Sequence, residues 1–309
     1  MSSPDDEAVG ATSEGLQVEL FHPDTDRETG DMNVQVFGVD VHSRVFPISC
    51  LVIALFIAVT LIFRSQSAGV FNAIQTGISA VAGWFYILSV NIFIIVVLYF
   101  ALGKYGAIRI GGVEADKEFS DFSWVAMLFS AGMGIGLMFF SVAEPIFHFG
   151  SVPPFFDGVQ SGSAVAGGAA MATTFFHWGI HPWAIYALVG LGLAFFSFNR
   201  GLPLTFRSIF WPLLGERIYG WPGHVIDIVS VIATLFGLST SLGIGVQQIN
   251  AGLTTLSGQF LPTSIPQGVW IQVVLIGVIT AIATLSVAAG LDGGVRRLSE
   301  FNVYLMVTL

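Results

Sequence analysis

Charge is what this chain has least of. Only 10% of its 309 residues are Asp, Glu, Lys or Arg, against about 25% in a soluble globular protein. With 54% apolar residues and 28 Phe, that scarcity excludes a soluble fold and calls for an integral membrane protein. Cysteine is almost missing. Cys50 stands alone, so there is no disulfide framework and no cysteine metal cluster. Nothing resembles a phosphate-binding loop, and no nucleophile–base arrangement marks an enzyme. The net charge of −9 is concentrated in the first forty residues, which disfavours nucleic acid as a partner. No basic stretch followed by a short apolar one opens the chain, so no cleaved signal peptide is expected.

What is present is a series of long apolar runs. A spanning helix needs about 20 mainly apolar residues. Six runs qualify, near Phe46 to Phe63, Thr76 to Leu102, Phe122 to Phe140, Ala164 to Phe198, Val225 to Leu256 and Trp270 to Ala289. A seventh begins near Phe301 and is cut by the end of the chain, so a longer protein is expected. The fold class is all-α, in the lipid bilayer. Residues 1–45 are polar and acidic with few large apolar groups, and a disordered tail is expected there.

Orientation follows from the eleven Lys and Arg residues. A cytoplasmic N-terminus puts Arg27, Arg44, Lys104, Arg109, Lys117, Arg200, Arg207, Arg217, Arg296 and Arg297 inside and Arg64 alone outside, as the positive-inside rule prefers. The external loops, near 150–163 and 257–268, carry no Lys or Arg. The expected location is the inner (cytoplasmic) cell membrane.

Two spans contain helix-breaking chemistry. In FSAGMGIGLMFFSVAEP, Gly132, Gly134 and Gly136 recur at every second position. Each glycine costs about 1 kcal/mol relative to alanine inside a helix, so the stretch should loosen. Gly132 and Gly136 also form a GxxxG close-packing motif. Two readings stand: a tight helix crossing, or an unwound stretch whose carbonyls coordinate a cation or substrate.

The second break is HWGIHPWAIYALVG, His177 to Gly190, mid-way along the fourth apolar run. Membrane tryptophans favour the water interfaces, yet Trp178 and Trp183 lie near the centre, beside Gly179 and Pro182. Irregular backbone at that depth is tolerated only where protein or water covers it. Trp183 and Tyr186 share a helix face. Trp178 and Trp183 are about 140° apart on a straight helix, and a kink at Pro182 is expected to change that. The rings are either packed core aromatics or a cage for a quaternary ammonium group, which electron-rich ring faces attract.

At these residues the sequence resembles the betaine/choline/carnitine transporter family, and its motifs lie nearest those of glycine betaine transporters. The resemblance rests on GMGIGLMFF with AEP (Gly132 to Phe140, Ala143 to Pro145), on HWGIHPWAIYALVG, and on ATLFGLSTSLGIGVQQI (Ala233 to Ile249). It implies a LeuT-like inverted-repeat transporter of twelve spans. Residues 46–121 would be peripheral helices 1–2, and residues 122–309 most of the first five-helix repeat. It implies Trp178, Trp183 and Tyr186 as part of an aromatic box, completed by tryptophans beyond Leu309. Gly132, Gly134 and Gly136 would face the substrate carboxylate, with the main-chain carbonyls of Ser130 and Met133 at a sodium site. Thr234 matches the first hydroxyl of a second sodium site; the second falls on Leu238, which has no side-chain oxygen. Choline-specific relatives resemble this motif but carry aspartate where Gly136 stands, so glycine favours a zwitterionic betaine. The expected activity is import of a betaine-type quaternary ammonium solute by sodium symport, with no cofactor and as a homotrimer. The alternatives are a proton-coupled choline or carnitine importer or exchanger and, in another class, a channel or osmosensor.

Other polar groups have plainer expectations. Glu144 either reaches interfacial water or couples protons. His177 and His181 are expected to hydrogen-bond between helices and not to ligate metal, since no Cys or carboxylate cluster accompanies them. Asp227 can cap the fifth span. Arg296 and Arg297 can snorkel from a short surface helix.

Overall fold

The computed structural model describes residues 25–27, 30–132, 136 and 138–308. A hairpin comes first, β1 Asn33–Val36 and β2 Val39–His42, antiparallel with Val36 opposite Val39. The helices follow in chain order: α1 Val45–Ile62, α2 Arg64–Leu102, α3 Asp121–Gly132, α4 Phe140–Gly150, α5 Ala164–Trp178, α6 Ile180–Ala194, α7 Trp221–Phe260, α8 Val269–Ala288 and α9 Arg296–Thr308. Among the described residues the protein is all-α apart from the hairpin. Among the described residues, five stretches are helical, long and apolar enough to cross a membrane: Val45–Ile62, Arg64–Leu102, Ala164–Asn199, Trp221–Phe260 and Val269–Ala288. Their large apolar side chains, Leu51, Ile62, Val81 and Leu285 among them, are exposed. Water would not tolerate such continuous apolar surface, whereas lipid does.

Two local outcomes differ from the sequence expectation. The hairpin lies inside the segment expected to be disordered. Its two-residue loop, Phe37-Gly38, has positive φ at both positions, 50° and 80°, as a type I′ turn requires. The fourth run does not break at Pro182. Gly179 interrupts it, with ψ −135°, and Pro182 sits in the first turn of α6. There its missing N–H is one that no helical partner would have satisfied. In the third run, Gly136, Met138 and Phe139 are π-helical before α4, a widened turn within the stretch that its glycines were expected to loosen.

The contacts divide the chain into two compact units. One comprises residues 1–116 and 179–234, the other 117–178 and 235–309. In the first, α2 packs along α6. A small core of Leu202, Trp211, Ile218 and Tyr219 gathers Met32, Phe196 and Leu214 around it. Beside it lies a buried ion pair. Arg207 donates from Nε to Asp227 Oδ2 at 2.6 Å and from its main-chain N–H to Oδ1 at 3.0 Å. Asp227 is therefore not the helix cap that its position suggested; it lies more than one turn inside α7 and neutralises a buried guanidinium. Arg207 also reaches His42 at 3.3 Å. The His42 ring accepts the N–H groups of Arg44 and Val45, capping α1.

In the second unit α4 packs on α5 and α3 on α9. The Ser123 hydroxyl donates to Glu300 at 2.6 Å and that of Ser130 to the Ser299 carbonyl at 3.2 Å. Asn250 donates to the Pro266 carbonyl and accepts from the Gly268 N–H, which ties the turn before α8 to α7.

Candidate functional site

The second unit gathers its polar chemistry around one carboxylate. Glu144 and His148 are four residues apart on α4 and so share a face. His177 and Trp178 end α5, which packs against that face. Glu144 Oε1 pairs with His177 Nδ1 and, at 3.3 Å, with His148 Nε2. Its other oxygen, Oε2, accepts the indole N–H of Trp178. Glu144 and His148 are largely buried, and His177 is half exposed. His177 thus bridges two helices, as expected. It does so inside a Glu–His–His cluster, which the sequence could not show because the carboxylate lies 33 residues away.

That hydrogen bond also fixes the indole. Trp178 stacks on Phe140 with ring centroids 5.4 Å apart and planes 24° from parallel. Its far edge lies over Gly136, where a β-carbon would come within 2.9 Å of Cζ3. A carboxylate, a phenyl ring and a bare backbone hold Trp178 from three sides. Gly136 therefore has a visible reason to be glycine. Gly132 and Ser130 lie within α3, the Ser130 hydroxyl turned to Ser299. Gly134 and Met133 fall outside the described residues.

The other expected ring residues belong to the first unit. Trp183 and Tyr186 stand one turn apart on α6, with ring centroids 5.7 Å apart and planes 39° apart. Both rings are exposed. The Thr234 hydroxyl donates to the Ser230 carbonyl at 2.8 Å, which leaves its oxygen lone pairs available. Leu238, one turn on, is exposed and apolar. The Arg207–Asp227 pair was missed as a unit, because each residue alone reads as an ordinary membrane-interface charge.

The family model for betaine/carnitine/choline transporters matches residues 44–309. The chain belongs to that family. Members of this family are transporters and not enzymes, and with its long apolar helices the protein is a multi-pass membrane protein. It is 49% identical to a glycine betaine/proline/choline transporter of Vibrio parahaemolyticus, over 93% of this chain and 54% of that one. It is 46% identical to glycine betaine transporter 1 of the same organism, over 92% and 54%. It is 41% identical to an osmo-dependent choline transporter of Acinetobacter baylyi, over 86% and 37%. The chain spans about half the length, or less, of these relatives. The Trp178–Gly136 contact and the Trp183–Tyr186 pair all lie inside the matched region.

Proposed function

We propose that this family member serves in import of a betaine-type quaternary ammonium solute, glycine betaine first, coupled to sodium. The observation that carries the reading is the anchored ring of Trp178 against a side-chain-free Gly136. An indole fixed in this way offers its electron-rich face at no ordering cost. Such faces attract a trimethylammonium group without a carboxylate. Trp183 and Tyr186 supply a second pair of ring faces. The absence of a side chain at 136 is what lets the Trp178 ring keep this position, and a carboxylate there would repel a substrate that brings its own. The named substrates of two similar transporters, which include glycine betaine, point the same way.

In this reading the carbonyls near Ser130 and Met133 and the hydroxyl of Thr234 contribute sodium ligands. The N-terminus is cytoplasmic, the repeat is LeuT-like and the transporter is a trimer. A second reading, proton coupling with choline or carnitine as substrate, is favoured by one observation: Glu144, a carboxylate in a membrane chain, pairs with two histidines. Uptake of labelled glycine betaine into proteoliposomes separates them. Concentrative uptake is expected with an inward sodium gradient at equal pH on both sides. Uptake that follows only an inward proton gradient would replace the first reading with the second.

A further inference from the structure

We propose that Glu144, His148 and His177 form a binding site for a divalent transition-metal ion of the zinc type. Their ligand atoms, one carboxylate oxygen and two imidazole nitrogens, all lie within 4.8 Å of one another. Ligands about 2.0–2.1 Å from a tetrahedral zinc ion are about 3.3–3.4 Å apart. Glu144 Oε1 and His148 Nε2 already stand at 3.3 Å. His177 Nδ1 pairs with the same oxygen, closer than two ligands of one ion stand, so His177 must draw back from Glu144 for an ion to enter between the three groups.

The donor set selects the ion. Two imidazoles with one carboxylate suit zinc and its neighbours. Calcium and magnesium take oxygen ligands and are not served here. Two ligands come from one turn of α4 and the third from the end of α5, so an ion would clamp these helices together. The imidazole rings are 60° apart with centroids at 5.8 Å. They are not stacked, and both can address one centre. A second layer is also present. The Trp178 indole N–H holds Glu144 Oε2 and leaves Oε1 to the ion. Ligating carboxylates are commonly steadied in this way. The half-exposed His177 leaves an approach for water at the fourth position.

The test uses the purified protein, without a polyhistidine tag, and cobalt(II) and zinc chloride as probes. One cobalt ion per chain is expected, with the visible bands of four-coordinate cobalt, and zinc should displace it while magnesium and calcium do not. His148→Ala and His177→Ala should each weaken zinc binding by at least the roughly 10- to 100-fold that loss of an outer-shell partner costs. His181→Ala, outside the cluster, should leave it unchanged. Zinc affinity unaltered in both histidine variants would overturn the site. Should those variants fail to fold, X-ray absorption at the zinc edge of the unaltered protein decides. A shell with imidazole scattering supports the site, and a shell of oxygen alone overturns it.

Discussion

The indole of Trp178 occupies the space that any side chain at residue 136 would need: a β-carbon on Gly136 would lie 2.9 Å from its Cζ3. A substitution at 136 therefore acts on Trp178 before it acts on charge. Gly136→Ala should weaken glycine betaine transport about tenfold, or about 1.4 kcal/mol, with selectivity over choline unchanged. Gly136→Asp should add a preference for choline, because a new carboxylate repels an anionic head and attracts a lone cation. Competition between labelled betaine and unlabelled choline in both variants checks this. Identical selectivity in the two would mean that no substrate charge comes near residue 136.

Trp183 and Tyr186 offer the second ring pair. Loss of one dry cation–π contact of about 2 kcal/mol corresponds to roughly thirty-fold in affinity. Trp183→Leu should raise the apparent KM by that order at normal membrane abundance. Unchanged kinetics in a well-expressed variant would return Trp183 to a packing role.

Thr234 keeps an oxygen available, and Leu238, one turn later, removes one. Sodium dependence is expected to show weak cooperativity, and Leu238→Thr should steepen it. Initial uptake against sodium concentration, at fixed pH and membrane potential, is the measurement. A flat response in both proteins would remove Thr234 from the ion site.

Arg207 and Asp227 are both buried, with side chains 4% and 9% exposed. Breaking a buried pair from one side costs about 3–5 kcal/mol, because the other charge is left without a partner. Arg207→Met should lower the unfolding temperature of the detergent-solubilised protein sharply. The double variant with Asp227→Leu should lose less than the sum of the two single changes. Additive losses would show that the charges do not depend on one another.

His42 faces Arg207, Asp227, Arg44 and His224, and burial followed by the Arg207 charge lowers its pKa below the ordinary 6.5. In the range below 6.5 the unfolded chain then binds more protons than the folded one, so stability rises with pH across that range. Thermal stability should fall as pH drops from 7.5 to 5, and His42→Asn should flatten that dependence. An unchanged profile in the variant would assign the pH effect to other groups.

The local sequence determined what depends on local chemistry. Apolar runs of sufficient length place helices in lipid, because backbone polar groups there must bond within their own segment. The motifs around Gly132–Phe140 and His177–Gly190 were enough to mark the family, which the match over residues 44–309 establishes. Tertiary structure decided the rest. Glu144 meets His177 from 33 residues away, and Arg207 meets Asp227 from 20. No spacing rule carries such pairs, because they exist only once two helices pack. Helix context also settled the break near Trp183. Pro182 reads as a kink, yet in the first turn after Gly179 it removes no helical bond. The demand for glycine at 136 likewise comes from Trp178, a residue on another helix whose ring fills the space above it.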